Sequence, residues 1–99
     1  MANLTFNEAK AQNFEKLALF TPVVLRVHGK NHPEFAEVKA LWDQIADKTE
    51  AAGDATPDLD AEFTQLRAVT SDYTVPGDVC ESYEAVYNML EVVDAAYQG

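Results

Sequence analysis

Four stripes of apolar residues at three-and-four spacing, each behind its own helix-start signal, leave this chain little choice but helices that each hide one face. The first start is Thr5-Phe6-Asn7-Glu8, which has capping-box spacing: the Thr hydroxyl can accept from the Glu8 amide while the Glu8 carboxylate reaches back. Its inward stripe is Phe6, Ala9, Phe14, Leu17 and Phe20. Pro22, which removes a backbone donor, is expected to kink or restart the helix before Val23, Val24, Val27 and His28, and Gly29 to end it. The second start is Asn31-His32-Pro33-Glu34, with Asn31 or His32 as cap and Pro33 in the first turn, ahead of an inward stripe of Phe35, Val38, Leu41, Trp42 and Ile45. Thr56-Pro57-Asp58 repeats the cap-then-proline pattern and precedes Leu59, Phe63, Leu66 and Val69. After a break over Tyr73 to Gly77, the fourth segment runs from about Asp78 to Tyr97 with Val79, Tyr83, Val86, Leu90, Val93 and Tyr97 inward, widened by Cys80 and Tyr87. No segment alternates as a strand does. The expected fold is all-α, an antiparallel up-and-down four-helix bundle. Ala51-Ala52-Gly53-Asp54-Ala55 reads as a loop inside one domain over residues 1–99.

The chain is 99 residues long, 47% hydrophobic and carries a net charge of −10. A domain of this size hides about 60–70% of its unfolded surface, so every large apolar residue is needed in one core. The charge is lopsided: residues 1–50 carry seven acids and six bases, and residues 51–99 carry ten acids and Arg67 alone. Such a surface repels phosphate backbones and anionic lipid, which argues against nucleic acid and membrane as partners. The longest apolar runs, Leu17-Ala18-Leu19-Phe20 and Val23-Val24-Leu25, are far too short to span a bilayer. The opening stretch, with Asn3, Asn7 and Glu8, lacks the basic-then-apolar order of a signal peptide, so the expected location is cytoplasmic.

Nucleotide binding and nucleophilic hydrolysis have no local support, because glycine-rich phosphate loops, GxSxG turns and paired cysteines are absent. Cys80 falls on the inner stripe of the fourth segment and is expected to pack in the core as a small hydrophobe. His28 and His32 are four apart, but Gly29 and Pro33 put a helix break between them. By spacing alone, His28 reads as a half-buried, hydrogen-bonded histidine and His32 as a helix-start residue. Neither Cys80 nor His28 has a recognisable second member of a catalytic pair, so no enzyme activity is expected.

Two stretches carry a resemblance. Val24-Leu25-Arg26-Val27-His28-Gly29-Lys30-Asn31-His32-Pro33-Glu34 is similar to the "V-H-G-x-x-H-P-E" segment of the RIC family, the hemerythrin-like di-iron proteins implicated in repair of iron–sulfur clusters. Leu66-Arg67-Ala68-Val69-Thr70-Ser71-Asp72-Tyr73-Thr74-Val75-Pro76-Gly77-Asp78-Val79-Cys80 resembles that family's "L-R-x-L-T-x-D-Y-T-P-P-x-D-A-C". The resemblance continues through Ser82 to Glu91 and implies a four-helix bundle with two irons held between the helices by His and bridging carboxylates.

The ligands do not follow the motifs. The resemblance places His28 on a family iron-ligand position, the one histidine ligand retained, and so points it into the bundle near Tyr83, Tyr87 or Glu84, with a hydrogen bond to one of them or to a backbone carbonyl expected. The early family His has no counterpart, Asn7 being the nearest residue. The family's "H-x-x-x-E" at the end of its second helix is replaced by Asp47-Lys48-Thr49-Glu50-Ala51-Ala52-Gly53, Thr56 stands where the family has a His, and Gly99 precedes the closing "H-I-x-x-E-N". A di-iron site needs about three protein ligands per metal. The implied protein is therefore a shortened, metal-free relative without a cofactor. Its expected role is non-catalytic, as a protein-interaction module that pairs with itself, as a homodimer, or with a complete di-iron repair protein. Phe6, Phe20, Trp42 and Tyr97 are the residues expected to be short of core. The alternative is a residual metal-binding protein of the repair response, built on His28 with Glu81 or Glu84, or on two copies of His28 across a dimer axis.

Overall fold

The computed structural model of the chain describes residues 4–99; Asn3, part of the stretch weighed against a signal peptide, lies outside them. Helix α1 (Phe6–His28) begins as its sequence predicts: the Glu8 amide donates to the Thr5 hydroxyl at 3.1 Å, and the Thr5 amide donates to the Glu8 carboxylate at 2.9 Å. Contrary to expectation, α1 runs unbroken through Pro22. One missing hydrogen bond costs less than giving up the packing on either side of it, where Leu17, Thr21 and Val24 are all buried. The unbroken helix also keeps a single register. Positions 17, 21 and 24 stay inward, so Val23 and Val27, read as inward after a restart, face out at 41% and 60% exposure, beside Leu19 at 62%.

In α2 (Glu34–Ala52) the whole predicted stripe, Phe35, Val38, Leu41, Trp42 and Ile45, is buried. Its cap differs from expectation. Pro33 is the boundary residue and no side chain caps it, while the His32 carbonyl accepts from the Phe35 amide at 3.0 Å.

Helix α3 (Asp60–Thr70) starts four residues after Thr56, which is exposed and is not the cap. The reason lies at Leu59. In a helix capped by Thr56, the Leu59 amide would donate to the Thr56 hydroxyl. That amide instead donates to the Tyr97 hydroxyl at 2.9 Å, and Pro57 and Leu59 are buried.

Helix α4 spans Glu81–Gln98 and buries Tyr83, Val86, Tyr87, Leu90 and Val93. Because it begins three residues later than predicted, Cys80 is its N-cap residue, in extended backbone, and is not on the helical stripe. The thiol is exposed, which overturns its core assignment.

Ring contacts fix the arrangement. Phe6 meets Tyr97 at 5.9 Å and His28 meets Tyr83 at 5.6 Å, so α1 and α4 run antiparallel. Phe14 on α1 meets Trp42 on α2 at 4.8 Å, Phe63 on α3 meets Tyr97 at 5.2 Å, and Phe35 reaches across to Tyr83 at 5.0 Å. This is the predicted four-helix bundle, with no strand among the described residues. Among them, too, no helix is long and apolar enough to cross a membrane. Phe6 and Trp42 are buried, and Phe20 and Tyr97 half-buried, so the aromatic residues expected to lack core have it.

Between α3 and α4, Ser71, Asp72 and Tyr73 all take left-handed backbone, with φ of 52°, 58° and 63°. Three such residues in a row cost about 1–2 kcal/mol each unless something holds them. Here the Asp72 amide donates to the Arg67 carbonyl at 2.8 Å, the Tyr73 amide to the Thr70 hydroxyl at 2.8 Å, and the Tyr73 hydroxyl to Asp94 at 2.7 Å. Asp94 also takes two hydrogen bonds from Arg67, at 2.8 and 3.0 Å, and one from Gln98 at 3.1 Å. Burial pushes the Asp94 carboxyl up, and these donors together outweigh it and hold the group below the usual range. Arg67, Thr70 and Tyr73 of the second motif are thus a staple that pins an unusual turn to α4.

Candidate functional site

Chemically active side chains gather at one end of the bundle, where α1 finishes and α2 and α4 begin. His28 is the last residue of α1, and its ring lies half-buried and edge-on to Tyr83. Its Nε2 is 3.1 Å from the Cys80 sulfur. The position near Tyr83 matches the sequence reading, but the partner does not: a hydrogen bond to Tyr83, Tyr87, Glu84 or a carbonyl was expected, and the thiol takes that place. In the neutral pair the thiol donates to the imidazole; in the charged pair the imidazolium donates to the thiolate.

No cap hydrogen bond closes from the Cys80 side chain, yet the sulfur sits at the mouth of α4. The backbone N–H of Tyr83, then the His28 ring, bring the thiol down to about 7 from 9.0, against an opposing push from partial burial. A nucleophile with a base in reach is what sequence spacing could not show, because the two are 52 residues apart.

His32 is a second, separate element of this end. Its Nδ1 is 3.0 Å from a Glu34 carboxylate oxygen and its Nε2 is 2.9 Å from Asp78, so one ring ties the start of α2 to the strap before α4. Its ring also lies 5.6 Å from Tyr83, which puts both histidines against one tyrosine despite the break between them. Hydrogen bonding to Glu34 raises the His32 pKa above 6.5, burial opposes it, and hydrogen bonding to Asp78 adds to the rise. A raised folded value means that this clamp contributes fully below the unfolded value and is lost as the pH rises through the folded one. The His32 ring resonances are therefore expected to titrate with a midpoint above 6.5, and Glu34→Gln and Asp78→Asn each to lower that midpoint. An NMR titration reads both.

Behind the histidines the interior is filled. Tyr83 and Tyr87 are fully buried with hydroxyls 3.0 Å apart, and Phe35 packs against both. Burial raises the phenol pKa of each tyrosine, so both stay neutral. Glu81 and Glu84, weighed as carboxylate partners of His28, are exposed and make no side-chain hydrogen bond among the described residues. No three His, Cys, Asp or Glu side chains among the described residues converge as a metal site would require. His28 is spent on a thiol, and phenols and a phenyl ring occupy the space beyond it. These residues do not fit the di-iron centre that the motifs imply.

No family model matches the sequence, and no solved structure matches it. The chain is similar to the iron–sulfur cluster repair protein ScdA of Staphylococcus haemolyticus, at 22% identity over an alignment of 116 residues that takes in 86% of this chain and 52% of the relative. The chain spans about half the length of that curated relative. The similarity supports a distant relationship to iron–sulfur cluster repair proteins, in keeping with the two motifs.

Proposed function

We propose that the chain is a metal-free, non-catalytic binding module related to the iron–sulfur cluster repair proteins, which acts by contact with a second copy of itself or with a complete repair protein. The observation that carries this reading is the outer stripe of α1. Leu19, Val23 and Val27, four apart, are exposed at 62%, 41% and 60%, and large apolar side chains in a continuous row on a small domain mark an interaction surface. Charge favours the same face. With ten acids against Arg67 in residues 51–99, two copies repel through that half, whereas α1 carries Lys10, Lys16 and Arg26 against Glu8 and Glu15.

Three side chains are less than a standard interface of about 800 Å² per partner, so the association is weak and concentration-dependent. Sedimentation velocity across a concentration series is expected to show reversible self-association that strengthens with salt, as repulsion is screened. Val23→Glu with Val27→Glu abolishes it without loss of helix, because both side chains already face water. A wild-type chain that remains monomeric at millimolar concentration, and captures no repair protein through this stripe, removes the proposal.

A further inference from the structure

We infer that the Cys80–His28 pair is a thiol-exchange site, which takes small neutral or cationic disulfides and ends as a mixed disulfide on Cys80. Two elements far apart in sequence build it: the last residue of α1 supplies the base and the N-cap of α4 supplies the nucleophile, 3.1 Å apart. A nucleophile and a base within hydrogen-bond reach, with the base held by a third group, is the arrangement that activates a thiol. The third group here is Tyr83, edge-on to His28 and fixed by its own bond to Tyr87. The Cys80 sulfur is open to solvent while the His28 ring is half-buried, so a reagent can reach the one and not displace the other.

The step balances without any further reactant. The Cys80 proton passes to His28 Nε2 and the thiolate attacks one sulfur of the disulfide RS–SR. The Cys80–SR bond forms as the RS–SR bond breaks, and the leaving RS⁻ departs with the electron pair and takes up the proton from His28. Cys80 gains the oxidation state that the disulfide gives up. The chain has no other cysteine to resolve the product, so the reaction stops after one turnover and marks the protein. Asp78, Glu81 and Glu84 flank the thiol in sequence, with Arg26 and Lys30 near His28 offsetting part of their charge, and the whole chain carries −10. That field disfavours anionic disulfides and admits neutral and cationic ones.

Stopped-flow or intact-mass kinetics with three probes test the assignment on the full chain: cystamine, 2,2′-dithiodipyridine and oxidised glutathione. A thiol near 7 holds roughly fifty times more thiolate at pH 7 than one at 9.0, and its lower basicity returns about a factor of eight, leaving a net gain of about fivefold. The folded chain is therefore expected to react with 2,2′-dithiodipyridine about fivefold faster than the same chain unfolded in urea at pH 7. Cystamine is expected to outpace oxidised glutathione, each giving one adduct that Cys80→Ser eliminates. His28→Gln, checked for native helix content, is expected to lose most of the gain. Folded and unfolded rates that coincide overturn the site, and so does a folded His28→Gln chain as fast as wild type. If His28→Gln does not fold, the folded-against-unfolded comparison decides alone. Adducts are read by mass, so the result does not depend on whether the chain self-associates.

Discussion

Replacing Phe35 by Ala is expected to remove about 3–5 kcal/mol, a large share of the roughly 5–15 kcal/mol available to a domain of this length. Phe35 has no exposed surface and is the hub of the functional end: its ring lies 5.0 Å from Tyr83 and 6.4 Å from Tyr87. A truncation there opens a cavity between two fully buried tyrosines, which cannot collapse into it without breaking their 3.0 Å hydroxyl contact. Phe35→Leu keeps most of the volume and should cost about half as much or less. Urea unfolding followed by circular dichroism measures both, and equal midpoints for Phe35→Ala and wild type contradict the packing described.

The second large effect is at the staple. Arg67→Met leaves the Asp94 carboxylate buried at 7% side-chain exposure with only Tyr73 and Gln98 as donors. Breaking a buried pair from one side costs about 3–5 kcal/mol, and because the Arg67 side chain is 36% exposed and screened, about 2–3 kcal/mol is expected here. The sign of its pH dependence follows from the depressed carboxyl. Such a group stabilises the fold above its unfolded value of 3.8 and loses that contribution as the pH falls through the folded value. The gap between wild type and Arg67→Met should therefore be widest near pH 7 and narrow toward pH 3. Melting curves at several pH values check this, and a gap that widens in acid would place the stabilisation elsewhere.

Particular residues show how far the sequence could be read. The stripe of α2 was fully legible because nothing interrupts its period between Pro33 and Gly53. Thr5 was legible because a capping box is a local device, complete within four residues. Thr56 looked the same locally and was not a cap, since a hydroxyl 38 residues beyond Leu59 takes the amide that a cap needs. Pro22 misled in the opposite direction: the local rule favours a break, and packing on both flanks overrides it, which moves Val23 and Val27 to the surface. Asp94 carries no local signal, because an acid between apolar positions reads as solvent-facing until its partners Arg67 and Tyr73 are brought to it by the fold.

The site was legible in half. His28 could be placed near Tyr83, Tyr87 or Glu84 through the motif's resemblance to that of the repair family, and the structure puts it against Tyr83. Its bond to Cys80 was out of reach, because the thiol's position depends on where α4 begins, and a shift of three residues moves it from a core stripe to an exposed cap. Helix boundaries carry the weakest signal in a sequence, and this pair depends on one of them.

We propose that His28 serves the Cys80 thiol at the position where the resemblance would put a metal ligand, and that the bundle works by contact. Elemental analysis of the chain purified from iron- and zinc-supplemented culture tests it most directly, paired with an absorption spectrum of the same sample. Far less than one metal ion per chain and no visible bands are expected, with Cys80 free to react. About two irons per chain, with the bands of an oxo-bridged centre, would contradict it.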